Sequence, residues 1–180
     1  MRKVLYIFGV LTDSDVDSLA RIGAPRRLRD GETVIEEGKP ADSLILLLEG
    51  EFLVTKKGMG QIARLGVGEI VGEMSLVDPA LPSATITARE RCLALFINKT
   101  ILLQKLESDV GFGSRFYRAL AVFLADRLRA TMQSPSLSER GIADEAAALE
   151  DELDAGILDA VSSAGERFQR MVKAITGQAA

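Results

Sequence analysis

The 180-residue sequence contains no histidine, no tryptophan and a single cysteine, Cys92. Without imidazole, histidine-based acid–base catalysis, histidine-ligated metal centres and the common form of the catalytic triad are excluded. One thiol forms no intramolecular disulfide and no cysteine-based zinc site, which fits a reducing interior. Cys92 stands in an apolar run and is expected to be packed. Long apolar runs are missing as well. The longest candidate, Val4 to Leu11, stops at Thr12-Asp13-Ser14-Asp15, well short of the roughly twenty residues a membrane span needs. Arg2 and Lys3 look like the basic start of a signal peptide, but no small-residue cleavage site follows. The expected chain is cytoplasmic, with no membrane partner and no enzymatic activity. What the sequence does contain is 47% hydrophobic and 27% charged residues with a net charge of −4. That suffices for a core and gives no general attraction to nucleic acid or anionic lipid.

Charge divides the chain unevenly. Residues 1–133 carry 18 Lys and Arg against 17 Asp and Glu, whereas residues 134–180 carry 4 against 9. The boundary is Ser134-Pro135-Ser136-Leu137-Ser138, where proline and serines disfavour continuation of a helix. The expected organisation is one domain over 1–133, a linker over 134–138 and a helical tail over 139–180.

Within the first part, Thr12 with Asp15 three residues on predicts a capping box and a short helix over 12–22. Eight of the sixteen glycines then fall between positions 31 and 72. They separate short β-prone runs such as Thr33 to Ile35, Ser43 to Leu48 and Phe52 to Thr55, and the pattern resumes at Ala84 to Ala88 and Cys92 to Ile97. Short strands with regular turn signals predict a compact antiparallel barrel or roll. From Lys99 the period changes to about 3.6. Ile101, Leu102 and Leu106 mark a first helix, and Phe112, Phe116, Leu120, Phe123, Leu124 and Leu128 mark one stripe of a second over 109–132. That stripe either packs on the barrel or forms a dimer seam.

The segment with chemical content is residues 66–88. Gly72 permits close backbone approach, and Glu73 to Leu76 can form one helical turn whose free N–H groups would face an anion. Glu73 beside such a cradle would repel the anion, so its carboxylate makes sense as an acceptor for sugar hydroxyls. Phosphate plus ribose means a nucleotide. The alternative for Glu73 is a carboxylate capping the short helix, and for Ser83 and Thr85 it is that they are only β-compatible polar residues.

This segment resembles the phosphate-binding cassette of the cyclic nucleotide-binding domain, and the resemblance covers most of residues 5–132. It takes in the leading helix, Gly31 to Gly38, Leu46 to Gly50, the cassette and the trailing helices. It implies an α+β, mainly β fold, a jelly-roll-like antiparallel β-roll flanked by N- and C-terminal helices. The ligand it implies is a cyclic nucleotide, cyclic AMP or cyclic GMP, bound without a metal. Gly72 and Glu73 match the family's Gly-Glu pair, Ser75 and Leu76 its small-then-apolar positions, and Ser83-Ala84-Thr85-Ile86 the end of the cassette. The implied ligand-binding residues are Val71, Gly72, Glu73, Met74, Ser75, Pro82, Ser83, Ala84 and Thr85.

Ala125-Asp126-Arg127-Leu128 resembles the segment that, in the regulator branch, precedes residues touching the base, which would bring Thr131 and Met132 over the pocket. One position departs from the pattern. The family places an arginine where this chain has Pro82. Losing one charge-assisted hydrogen bond of about 1.5–3 kcal/mol should weaken binding of a cyclic monophosphate roughly ten- to a hundredfold. Arg64, Lys56, Lys57 or Arg89 could supply the charge from another direction.

The transcription regulators follow this domain with a helix-turn-helix, but the residues after 133 are too few and too acidic, so nucleic acid is not an expected partner. Instead Leu149, Leu153, Ile157, Val161, Phe168, Met171, Val172 and Ile175 step mostly by three or four, with acids ahead of them and Arg167, Arg170 and Lys173 behind. This helix either folds back on its own barrel or serves as an intersubunit or client-binding helix. The expectation is a small sensor, a homodimer, signalling through its C-terminal helices, with a protein client as a further partner of the tail. The alternative is a scaffold that kept the roll and lost the ligand.

Overall fold

The computed structural model describes residues 7–78, 80–132 and 155–177. Thr12 caps helix α1 (Asp13–Ile22). Its hydroxyl accepts the Asp15 amide at 3.2 Å while the Asp15 carboxylate accepts the Thr12 amide at 2.8 Å, the reciprocal box that the spacing predicts. Six strands follow: β1 (Gly23–Leu28), β2 (Thr33–Ile35), β3 (Ser43–Lys56), β4 (Gly60–Leu65), β5 (Ile70–Val71) and β6 (Thr85–Asn98). Every pairing is antiparallel, in the order β1-β6-β3-β4, with β2 also on β6 and β5 on β3. This is the antiparallel roll with flanking helices that the sequence predicts.

The strands are longer than their apolar runs. Ser43 to Leu48 and Phe52 to Thr55 belong to one 14-residue strand, β3, and Thr85 to Ala88 and Cys92 to Ile97 to another, β6. Gly50, which reads as a break, is instead a bend. It takes φ +91° at the point where the β3–β6 register shifts, and a Cβ there would lie 2.6 Å from the Cys92 sulfur and 2.9 Å from the Arg91 carbonyl. Only glycine meets both conditions. Glu90, opposite this bend, has φ +62° and donates its amide to Asp30 at 2.7 Å.

Alternation of side chains along the two long strands serves two cores. Leu44, Leu46 and Leu48 of β3 and Leu93, Leu95 and Ile97 of β6 face the helices, while Ile45 and Leu47 of β3 and Cys92 and Ala94 of β6 face the roll interior with Phe52, Val54, Leu65 and Val71. Both faces are covered, so these runs are continuously apolar instead of alternating.

Asn98, the last residue of β6, caps the helix that follows it. The short cassette helix α2 (Met74–Val77) is followed by α3 (Lys99–Ser108), whose Thr100 and Ile101 amides the Asn98 side chain accepts at 3.0 and 3.2 Å. In α4 (Val110–Met132), Phe112, Phe116, Leu120 and Phe123 are buried within the chain itself, so the stripe packs on the roll and is not free for a dimer seam. Leu128 departs from the stripe and is exposed, as is Ile101 on α3.

The last described helix, α5 (Ala155–Gly177), folds back. Ala164, Met171 and Ile175 join the core that contains α1 and α4, and the Phe168 ring stands edge-on to Phe8 at 5.5 Å. Arg167 donates to Asp13 at 2.6 Å and to the Phe8 carbonyl at 2.9 Å, and Arg170 donates to Asp13 at 3.0 Å. Thus α5 folds back on its own chain, as one of the two sequence readings of the tail expects, but it lies on α1 where that reading named the barrel. The linker 134–138 and tail residues 139–154, including Leu149 and Leu153, lie outside the described residues. On its other side α1 is fixed to α4, where the Arg115 guanidinium meets the buried Asp15 carboxylate with two bonds of 2.6 and 2.8 Å. That arginine holds the Asp15 carboxyl down to about 2.

Candidate functional site: the cassette between roll and helices

The cassette leaves the roll at β5. Val71 is buried opposite Ile45 and holds the segment to β3. Gly72 then turns with φ +82°, and a Cβ there would stand 2.5 Å from the Ser43 carbonyl oxygen. Two separate constraints therefore require glycine: the left-handed backbone and the closeness of β3. The turn delivers Glu73 inward and Met74 outward. Glu73 is 2% exposed, whereas Met74 is 64% exposed at the start of α2.

Glu73 occupies the N-cap position of α2 but makes no side-chain capping bond. Its carboxylate instead accepts from the guanidinium of Arg127 on α4, which also lies over the Phe123 ring at 5.6 Å. The capping alternative for Glu73 finds no side-chain capping bond, and the carboxylate is engaged by Arg127 instead. Burial pushes the Glu73 carboxyl above the ordinary glutamate value, the Arg127 charge opposes that push, and the charge of Glu69 adds to it.

Ser75 is half-buried and donates its hydroxyl to the Gly72 carbonyl at 3.3 Å. The same oxygen accepts from the ammonium of Lys99, which donates also to the Ala41 carbonyl. Lys99 is 9% exposed at the first residue of α3. Burial lowers its pKa, with Asp42 and Glu73 opposing. Leu76, the next cassette residue, packs against the helical core.

The far end of the cassette is pinned to the β2–β3 connection. The Pro82 carbonyl accepts the Gly38 amide at 2.9 Å, and the Thr85 hydroxyl accepts the Glu37 amide at 3.0 Å. Ser83 is exposed and Ala84 half-buried between them. Of the cations suggested as substitutes for an arginine at 82, Arg64 and Arg89 both turn towards Glu51, at 4.0 and 3.3 Å. Lys56 and Lys57 are exposed at the end of β3, just beyond the Thr55–Thr85 pair. Thr131 and Met132 fall in the last turn of α4, and their side chains lie outside the described residues.

The structure therefore brings Gly72, Glu73 and Ser75 together and fastens Pro82 and Thr85 to the β2–β3 connection. It adds two cations that the sequence did not single out as site residues. Arg127 is far from Glu73 along the chain, and only the fold of α4 joins them. Lys99 carried a sequence signal: a lysine in the first turn of a helix sits at the wrong end of the helix dipole. Chemically the cluster offers a buried carboxylate held by a cation, able to accept hydrogen bonds from hydroxyl groups. Among the described residues no group of histidine, cysteine, aspartate or glutamate side chains converges to hold a metal ion, and no helix is long and apolar enough to cross a membrane.

Comparison with known proteins agrees with this geometry. Residues 25–109 match the cyclic nucleotide-binding domain family. A cAMP-dependent protein kinase regulatory subunit of Yarrowia lipolytica is 37% identical over 98 residues, covering 54% of this chain and 26% of that protein. A cGMP-dependent protein kinase of Plasmodium berghei is 26% identical over 109 residues, covering 60% of this chain and 13% of the kinase. The chain thus spans about a quarter or less of the length of these relatives. Among solved structures, a cyclic nucleotide-binding domain of Methylobacillus flagellatus superposes with a TM-score of 0.66 at 27% identity, over 73% of this chain and 79% of that one. The antiparallel roll from Pro25 onward and the glycine-framed turn at 72 and 73 lie within residues 25–109, the part of the chain that the cyclic nucleotide-binding domain family matches.

Proposed function

We propose that the protein is a regulatory module that binds a cyclic nucleotide, cyclic AMP or cyclic GMP, in the cassette and signals by repositioning its C-terminal helices. The observation that carries this reading is the Glu73 carboxylate, buried, not spent on capping α2 and held by Arg127 of α4. In that position it would accept the ribose hydroxyl, while Gly72, Met74 and Ser75 would line the phosphate side with backbone amides and Ser83, Ala84 and Thr85 would close the loop. Val71, paired with Ile45, would anchor the turn beside the ligand. Thr131 and Met132 remain the proposed contacts to the base. Because Arg127 belongs to α4, a ligand that engages Glu73 acts on α4 directly, and this is the differential contact that a population shift requires.

In this reading the protein works without an enzymatic step or a metal, in the cytoplasm, with residues 1–133 as the sensing unit and 139–180 as its output. A homodimer would use the outer face of α4, where Tyr117 and Leu128 are exposed, and a protein client would compete with α1 for α5. A second reading, a scaffold without ligand, is favoured by one observation: Pro82 offers neither charge nor N–H, and its carbonyl is already taken by Gly38. Isothermal titration with cyclic AMP and cyclic GMP separates the two. Saturable heat that depends on Glu73 supports the sensor, and no heat with either nucleotide supports the scaffold.

A further inference from the structure

The cassette helix α2 has four residues, none of them buried, and its backbone bonds include Leu76 N–H to Glu73 O at 3.0 Å and Asp78 N–H to Met74 O at 2.9 Å. So short a helix does not hold its place by its own hydrogen bonds. Side chains must fix it, and three do so: Leu76 on the helical core, Glu73 through Arg127, and Ser75 through Lys99. The third is the unexpected one. A cation in the first turn of α3 opposes the helix dipole, and a lysine stem long enough to carry its ammonium to water is instead turned inward. There it grips the start of β3 twice, with its backbone N–H on the Asp42 carbonyl at 2.9 Å and its ammonium on the Ala41 carbonyl. The next carbonyl along, that of Ser43, is the one against which Gly72 packs. Lys99 therefore joins the three pieces that meet beneath the cassette: the start of β3, helix α2 and the start of α3.

We propose that Lys99 is a positioning residue for the cassette, setting the place of α2 through Ser75 without touching the ligand, an inference that rests on the nucleotide reading above. An ammonium that is the common donor to Ser75 Oγ and Ala41 O fixes the distance from α2 to the sheet. Without it, α2 retains only its apolar and Arg127 anchors and the cradle presented to the nucleotide loosens.

The test uses the full chain and four variants: Lys99→Met, Ser75→Ala, the double variant and Lys99→Arg. In the ligand-free protein, amide exchange at Leu76 and Asp78 should accelerate by roughly tenfold in Lys99→Met and in Ser75→Ala, as loss of one charged hydrogen bond implies. Exchange at Leu46 and Leu95 in the core should stay as in the parent. Titrated with cyclic AMP and cyclic GMP, both single variants should bind roughly tenfold more weakly, the double variant no worse than either single one, and Lys99→Arg should recover much of the loss. Unchanged exchange at Leu76 and Asp78 in both single variants overturns the proposal whatever the binding data show. So does faster exchange with affinity within about twofold of the parent. If Lys99→Met does not fold, Ser75→Ala, which removes one hydroxyl, decides the same question. A parent that binds neither nucleotide defeats the nucleotide reading and with it the role in binding, while exchange alone then decides whether Lys99 places α2.

Discussion

At Glu73 two effects oppose each other: burial penalises the carboxylate, and the Arg127 guanidinium favours it. Burial is the larger, so the group loses its charge at a higher pH than an ordinary glutamate. A ribose hydroxyl bonded to the ionised carboxylate gains from that charge, so nucleotide affinity should fall as pH drops through this raised pKa, earlier than an exposed glutamate would dictate. Titrations from neutral pH downward check this, with Glu73→Gln as the control whose residual binding should lack that fall. The same variant should keep its fold, since removing a buried charge relieves desolvation and Arg127, about 29% exposed at its side chain, can turn to water. Pro82 is the complementary position. Pro82→Arg should raise cyclic AMP or cyclic GMP affinity by roughly tenfold, the worth of one charge-assisted pair. A variant that folds and gains nothing would favour the scaffold. At this scale the sequence was half legible. The Gly72-Glu73 pair and the serine–alanine–threonine run stand out locally, but the partners of their side chains do not. Arg127 and Lys99 reach the cassette from helices that follow the roll, and no local pattern reports where a distant side chain ends.

At the scale of elements, the cassette turn and helix α1 are each held by one feature that a single substitution removes. Gly72→Ala would place a Cβ 2.5 Å from the Ser43 carbonyl at φ +82°, so a loss of about 2 kcal/mol or more is expected, read from urea denaturation. Asp15 lies far below the ordinary aspartate value because of Arg115, dropping from 3.8 to about 2, which corresponds to roughly 2 kcal/mol. A lowered carboxyl pKa gives stability that is fully present above about pH 4 and lost as pH falls towards 2. Asp15→Asn should therefore be less stable than the parent at pH 7, with the gap in denaturation midpoint narrowing between pH 4 and pH 2. A gap that stays constant across that window would mean the pair is not what α1 depends on. Helices α1, α3 and α4 were readable because capping residues and 3.6 periodicity are local signals. The lengths of β3 and β6 were not, since Gly50 and Glu90 look like strand ends in sequence and are bends within continuous strands once the facing strand is in place.

For the whole molecule, a chain of side-chain contacts runs from the cassette to α5. Glu73 meets α4 through Arg127, α4 meets α1 through Arg115 and Asp15, and α1 meets α5 through Asp13 and Phe8. Deleting residues after Ser136 would uncover Phe8 and the face of α1 that Met171 and Ile175 help to cover, so the truncated chain should melt at a lower temperature and self-associate, as sedimentation velocity would show. An unchanged melting temperature and a monodisperse monomer would mean that α5 does not contribute to the core. That α5 turns back on its own chain was one of two readings that the tail sequence left open, because an amphipathic stripe specifies that a helix needs a partner surface and not which surface it takes.

The central claim is that the cassette binds a cyclic nucleotide through Glu73, and one measurement tests it most directly: isothermal titration of the full chain and of Glu73→Gln with cyclic AMP and cyclic GMP in the same buffer, alongside their melting temperatures. The account predicts saturable binding of at least one nucleotide by the parent, weakened by roughly tenfold or more in Glu73→Gln at a similar melting temperature. Equal affinity in parent and variant, or no binding of either nucleotide by a folded parent, would contradict it.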